Sequence, residues 1–111
     1  MRRGEIRYAD VGGDFGRRPV LIVTASDLIG VLSAVTCAPV TTSLRGIATR
    51  VELDHPEGLH RRSEAACEAL LTLRKSDVDP APLGSLDESR FHELDRAIAL
   101  SLDIRRANLT T

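Results

Sequence analysis

The sequence predicts a mainly β fold with one helix, in the α+β class, and three features support this. Short runs rich in β-branched residues recur through the first half, separated by glycine and proline. A clear helical pattern closes the chain, with apolar residues every three or four positions. The 111 residues, 42% of them hydrophobic, suit one domain over residues 1–111. We therefore expect a small, strongly bent antiparallel sheet closed by a C-terminal helix.

Three strands are predicted before residue 42. The segment Gly4–Val11 alternates imperfectly and suits a first strand, and the glycine-rich Gly12–Gly16 is expected to be a flexible connection. Pro19–Thr24 is the second strand, and the proline that opens it loses no ladder bond at a first position. Ser33–Thr41 is the third, in which Pro39 indicates an edge or a bulge.

The remaining elements are a fourth strand, an ambiguous segment and the helix. Gly46–Leu53 alternates and is predicted to be a strand, whereas Ser63–Leu73 favours helix by propensity and strand by its neighbours. Asp87 is a good N-cap for the final helix. Leu86, which precedes Asp87, and Phe91, in the first turns of the helix, fit a hydrophobic staple.

The charge of the chain is nearly balanced but unevenly distributed. Residues 1–50 hold seven arginines against four acids, a net charge of +3, while residues 51–111 hold eight cations against twelve acids, a net charge of −4. This asymmetry indicates either one basic face or ordinary surface charge. No apolar run approaches the roughly 18 residues that would span a membrane. The charged N-terminus lacks an apolar signal segment, so we expect a cytoplasmic protein.

Cysteines and histidines show no metal-binding pattern. Cys37 and Cys67 lie far apart among small apolar residues, which favours two core thiols in a reducing compartment. The three histidines, His55, His60 and His92, have no zinc-like spacing with them. We expect neither a metal nor a cofactor.

The segment "RRPVLIVTASD" places two adjacent arginines at the mouth of an apolar strand. A guanidinium presents several rigid donors, a geometry that matches phosphate oxygens. For Arg18 the alternatives are a solvated strand end or a salt bridge, for example to Glu5.

Three segments in order, "MRRGEIRYAD", "RRPVLIVT" and "APVTTSLRG", resemble the MazF/PemK family of toxin endoribonucleases. The closing segment "LGSLDESRFHELDRAIALSLDI" is similar to the short strand and amphipathic helix that end those proteins. The resemblance covers Arg2 to about Ile104 and is strongest to short-loop actinobacterial members.

The resemblance implies a fold, an activity and partners. It implies a small SH3-like barrel of the CcdB/MazF type that works as a homodimer. It also implies sequence-specific cleavage of single-stranded RNA without a metal, through the substrate 2′-OH, and inhibition by a cognate antitoxin. Catalysis would rest on Arg18 of the "RP" motif and Thr41 of the "APVT" motif.

Five further residues are expected to bind the RNA. Arg17 and Arg45 would contact phosphates, which positions RNA without reading its sequence. Thr42 and Ser43 offer hydroxyls to a phosphate or a 2′-OH. Glu68 would match an acidic residue on the fifth strand of many relatives.

The fifth-strand segment Cys67–Leu73 departs from the family, because Ala69, Leu70 and Leu71 replace a more polar middle. Glu64 also stands where an apolar residue is usual, so either it faces solvent or the register is off by one. These departures keep open a catalytically weakened toxin. A non-enzymatic SH3-like relative, either a protein-binding toxin or a peptide-binding module, is disfavoured by the missing Trp and scarce aromatics.

Overall fold

The computed structural model describes residues 1–105, which form seven short strands and two helices joined by several 3₁₀ turns. The strands are β1 (Glu5–Asp10), β2 (Arg17–Ile22), β3 (Ala34–Thr41), β4 (Arg50–Leu53), β5 (Ser63–Ala66), β6 (Leu71–Arg74) and β7 (Gly84–Ser85). The helices are α1 (Ser26–Ile29) and α2 (Phe91–Leu102). The 3₁₀ turns are Gly13–Phe15, His55–Glu57, Cys67–Ala69, Lys75–Asp77 and Glu88–Arg90.

Strand β3 is the centre of a bent antiparallel sheet with the order β4-β5-β3-β2-β1-β7. One edge of β3 pairs with β2, while the other pairs first with β6 over Ala34–Cys37 and then with β5 over Val40–Thr41. Pro39 falls between these two partners, at the position where this edge of β3 has no neighbour. The predicted bent antiparallel sheet with a C-terminal helix is confirmed.

The bend gives the sheet two buried cores, one on each face. The larger core packs against α2 and contains Ile6, Leu21, Ala38, Val40, Val51, Leu53, Leu59, Ala65, Cys67, Leu86, Leu94 and Ala97. The smaller core contains Ala9, Val20, Ile22, Ile29, Val35, Cys37, Leu73 and Val78. Because β2 and β3 contribute to both cores, both faces are buried where the strands are central, at Val20–Ile22 and at Cys37 and Ala38.

Several predicted strand bounds differ from the structure. Strand β2 begins at Arg17, before the predicted Pro19, because Arg17 and Arg18 pair with the end of β1. The predicted strand Gly46–Leu53 is confirmed only over Arg50–Leu53, since residues 46–49 have no strand partner. The ambiguous segment Ser63–Leu73 is neither a helix nor one strand, but β5, a 3₁₀ turn and the start of β6.

The predicted Asp87 cap lies on the 3₁₀ turn Glu88–Arg90, whereas α2 itself begins later than predicted, at Phe91. The Asp87 side chain accepts a hydrogen bond from the Ser89 N–H, at a 3₁₀ turn that leads into α2. Leu86 is buried in the larger core and Phe91 packs against the same core, in agreement with the predicted staple. The short helix α1 was not predicted.

Both cysteines are free and buried, which confirms the expectation of core thiols. Burial raises the pKa of Cys37 to about 12 and contributes most to a pKa of about 11 for Cys67, so both are protonated at neutral pH. Within residues 1–105, no helix has the length and apolarity needed to cross a membrane.

Two glycines make a close backbone contact where β7 crosses the 3₁₀ turn His55–Glu57. A Cβ built on Gly84 would overlap the carbonyl oxygen of Glu57, and one built on Gly58 would overlap the carbonyl oxygen of Leu83. Because the obstructing atoms belong to the backbone, no side-chain rotation can relieve the overlap.

Replacing Gly84 by alanine should therefore destabilise the protein by about 1–3 kcal/mol, the usual cost of an overpacked site. Gly30→Ala is the matched control, because Gly30 has φ −69° and an added Cβ there meets no atom within 4 Å. Urea unfolding of both variants measures the difference. Equal free energies of unfolding for the two variants would contradict the close contact.

Candidate active site

The antiparallel register of β2 and β3 brings the two predicted catalytic residues together. Val20 lies opposite Pro39 and Leu21 opposite Ala38. Continued past Val20, the same register places Arg18 opposite Thr41. The Arg18 Nη2 donates a hydrogen bond to the carbonyl oxygen of Val40, 3.2 Å away, which holds the guanidinium beside Thr41. The register therefore places the predicted pair on neighbouring strands at one end of the sheet.

The Arg18 guanidinium lies under an exposed aromatic ring and has no carboxylate partner within the described part of the chain. Its Cζ is 5.6 Å from the ring centre of Phe15, whose side chain is 72% exposed on the turn after β1. The expected alternative, a salt bridge to Glu5, is wrong, because the Glu5 carboxylate binds Arg7 with an oxygen–nitrogen distance of 2.9 Å. The Arg18 charge is thus left available to an anionic ligand.

Arg17 points to the other face of β2, since adjacent side chains in a strand alternate. It forms an ion pair with Asp79, and its Cζ lies 6.0 Å from the ring centre of Tyr8. The hydrogen bond to Asp79 raises the pKa of Arg17 above its ordinary value. Strand β2 includes both arginines, so their side chains point to opposite faces. The structure therefore separates Arg17 from Arg18 and Thr41.

The loop after β3 carries the other predicted polar residues. The Ser43 N–H donates to the Thr41 Oγ1 at 3.0 Å, which orients the threonine hydroxyl. The side chains of Thr42, Ser43 and Arg45 are exposed next to it. Arg61 was missed by the sequence reasoning, and its Nη2 donates to the Thr42 Oγ1 at 3.3 Å. Hydroxyls and cations are thus concentrated on this loop.

Glu64 is 2% exposed, so the first of its two alternatives, a side chain that faces solvent, is wrong. Its Cα lies opposite that of Thr41 in the β3–β5 ladder. Its carboxylate accepts hydrogen bonds from the backbone N–H groups of Arg45 and Gly46 and binds the Nη1 of Arg50 at 3.0 Å. Burial alone would raise the pKa of Glu64, but these three donors outweigh burial and lower it, so the carboxylate is ionised at neutral pH.

Glu68 takes part in the same network rather than standing free for a ligand. Its two carboxylate oxygens accept from the Nε of Arg50 at 2.7 Å and from the Thr49 hydroxyl at 2.9 Å. Burial opposes ionisation of Glu68, yet hydrogen bonds that include those from Arg50 and Thr49 lower its pKa. The expected RNA contact of Glu68 would have to compete with these bonds.

Comparisons with known proteins identify the family of the chain. Residues 2–102 match the model of the PemK-like, MazF-like toxin family of type II toxin–antitoxin systems. The chain is 37% identical over 87 residues to "Endoribonuclease MazF3" of Mycobacterium tuberculosis, with 78% of this chain and 84% of that protein covered.

Solved structures show the same fold. "Mycobacterium tuberculosis toxin MazF-mt6" is 34% identical with a TM-score of 0.84, and the match covers 91% of this chain and 98% of that one. A mycobacterial structure described as an endoribonuclease in complex with its cognate antitoxin shares the fold at 24% identity, with a TM-score of 0.82 and coverage of 95% and 97%. The chain belongs to the PemK-like, MazF-like family of toxins of type II toxin–antitoxin systems.

Proposed function

We propose that this chain is the toxin of a type II toxin–antitoxin system and acts as a sequence-specific, metal-independent endoribonuclease on single-stranded RNA. The observation that supports this most strongly is the position of Arg18, which has no carboxylate partner in residues 1–105 and donates to the carbonyl oxygen of Val40, the residue before Thr41. Family membership and the name of the M. tuberculosis relative, an endoribonuclease, add independent support.

The proposed chemistry needs little from the protein because RNA carries its own nucleophile. The 2′-OH attacks the adjacent phosphorus and loses its proton, while the bond to the 5′-oxygen breaks and that oxygen takes up a proton. The products are a 2′,3′-cyclic phosphate and a 5′-OH. Arg18 would stabilise the extra negative charge on the phosphate oxygens, and Thr41 would hydrogen-bond the phosphate or the 2′-OH.

The loop after β3 would bind the RNA next to the reacting phosphate. Arg45 carries an exposed cation there, and Thr42 and Ser43 carry exposed hydroxyls. We add Arg61 to this set, since its guanidinium reaches Thr42. Arg17 is assigned at most a distant role, because it lies on the opposite face of β2 in an ion pair.

A catalytically weakened toxin is the second candidate, and the surroundings of Glu68 favour it. Both Glu68 oxygens are engaged by Arg50 and Thr49, and Leu70 packs against the larger core. The segment that is polar in many relatives therefore offers little to RNA in this chain.

The proposal includes partners and a location. By its family, the toxin would be inhibited by a cognate antitoxin, and by the resemblance it would act as a cytoplasmic homodimer. An acidic antitoxin segment would compete with RNA for the Arg18 and Arg45 cations.

The first test is the chemistry of cleavage. Purified protein incubated with a long single-stranded RNA in excess chelator should cleave it at full rate, since the 2′-OH, Arg18 and Thr41 suffice. Mapping of the ends should show a 2′,3′-cyclic phosphate, or its hydrolysed form, and a 5′-OH. Fragments with a 5′-phosphate, or cleavage abolished by chelator, would rule out this mechanism.

The second test separates the two adjacent arginines. Arg18→Lys should lower kcat by about 10²-fold or more, because lysine keeps the charge but cannot make the forked contact to two phosphate oxygens. Arg17→Lys is the matched control and should change kcat little, since Arg17 points away from Thr41. Circular dichroism confirms that both variants fold. Similar small effects from both substitutions would place the chemistry on another residue.

The third test concerns assembly. Sedimentation equilibrium of the free protein should give about twice the monomer mass of 12.1 kDa across micromolar concentrations. Addition of the cognate antitoxin should abolish RNA cleavage without dissociating that dimer. A strict monomer that cleaves RNA at the same rate would contradict the proposed homodimer.

A further inference from the structure

The loop segment 42–46 is not held in place by apolar packing. Its side chains are all exposed, including Leu44, which is 43% exposed. Gly46 adopts a left-handed conformation with φ +61°, so the loop also turns sharply before β4. A segment with this exposure takes its conformation from the hydrogen bonds of its backbone.

Three of those backbone groups are bound by one buried ion pair. Glu64 accepts the N–H of Arg45 at 2.9 Å and the N–H of Gly46 at 3.1 Å. Arg50, which binds Glu64, donates to the carbonyl oxygen of Ser43 at 3.2 Å. Glu64 and Arg50 are 2% and 7% exposed at their side chains, so water competes little for the bonds to the Glu64 carboxylate, although the bond to the Ser43 carbonyl is exposed.

The ion pair is connected to the predicted catalytic hydroxyl through Ser43. The Ser43 carbonyl is held by Arg50, and the Ser43 N–H donates to the Thr41 Oγ1. A displacement of Ser43 would therefore change the orientation of the Thr41 hydroxyl. Thr41 and Glu64 are also direct partners in the β3–β5 ladder, so the carboxylate lies beside the strand end that it supports.

We propose that Glu64, acting with Arg50, is a positioning residue for the RNA cleavage described above: it fixes the loop segment 42–46 so that the Thr41 hydroxyl and the Arg45 cation are preorganised toward the phosphate. The inference rests on the proposed function. A buried ion pair contributes little net stability compared with apolar residues of similar volume, so a fold alone does not require it here. Its hydrogen bonds to the loop supply a reason for its presence.

Glu64→Gln tests the proposal with a minimal change of shape. A carboxylate has two acceptor oxygens, whereas an amide has one oxygen and an NH₂ group that can only donate. In either orientation of the amide, the NH₂ group would face an N–H donor, so at least one bond to the loop or to Arg50 is lost. Glu52→Gln is the matched control. Glu52 lies opposite Glu64 in the β4–β5 ladder, but among the described residues its side chain forms only an exposed ion pair with Arg62. Both variants lose one carboxylate charge.

The measurements are steady-state kinetics on an RNA oligonucleotide that carries the mapped cleavage site, and hydrogen exchange of the Arg45 and Gly46 amides. Glu64→Gln should lower kcat by about 10²-fold, the effect expected of a misplacement near 1 Å, with a smaller change in KM. The two amides should exchange faster in this variant. Glu52→Gln should match the wild type in both measurements.

A double variant, Glu64→Leu with Arg50→Met, keeps the test decisive if the glutamine variant fails to fold. It removes both buried charges together, which proteins often tolerate without loss of stability. Glu68 also loses its Arg50 partner in this variant, but its side chain is 34% exposed, so water can solvate the carboxylate. A folded double variant with a similarly reduced kcat supports the positioning role. A folded double variant with wild-type kcat, or one that also fails to fold, overturns it.

Two further outcomes separate this inference from the proposed function. If Glu64→Gln folds with wild-type kcat, Glu64 does not position the reaction, although the endoribonuclease proposal stands. If the wild type cleaves no RNA, both proposals fail as statements about catalysis, while the exchange rates of the Arg45 and Gly46 amides still decide whether Glu64 anchors the loop.

Discussion

The register between β2 and β3 determines where Arg18 lies relative to Thr41. The apolar residues of each strand point alternately into the two cores, so a shift of one strand by one residue would exchange its two buried faces. The same register brings Arg18 level with Thr41 and aims its guanidinium at the carbonyl of Val40. The packing that stabilises the sheet therefore also sets the geometry of the proposed chemistry.

Three arginines near the site differ in role because their surroundings differ. Arg17 forms an ion pair with Asp79 on the face of β2 opposite to Arg18, and Arg50 is buried between Glu64 and Glu68. Arg18 is paired with a backbone carbonyl and an aromatic ring instead of a carboxylate. A guanidinium held by neutral groups keeps its charge for a phosphate, whereas the other two satisfy structural carboxylates.

Much of this arrangement follows from local patterns in the sequence. Apolar runs with β-branched residues predict β2 and β3, and the spacing of Phe91, Leu94 and their neighbours predicts the helix on the larger core. The pairing of Arg18 with Thr41 came from motifs rather than from periodicity, because a pattern within one strand carries no information on the register with another.

The missed features depend on contacts between distant segments. Residues 46–49 alternate like a strand but find no partner, so tertiary pairing overrides the pattern. Glu64 looked misplaced in an apolar strand because its partner Arg50 lies 14 positions earlier. The side chains of Arg17 and Arg18 point to opposite faces of β2, because adjacent residues of a strand alternate and β2 starts at Arg17. A predicted strand that starts at Pro19 excludes both arginines and so does not predict this separation.

The most direct test of the site is a crystal structure with an RNA oligonucleotide in which the attacking 2′-OH is replaced by hydrogen, so that the substrate binds but cannot react. The scissile phosphate should lie about 3 Å from both the Arg18 guanidinium and the Thr41 hydroxyl, a normal hydrogen-bond distance. A scissile phosphate bound beside Arg17, with Arg18 still donating to Val40 alone, would contradict the account.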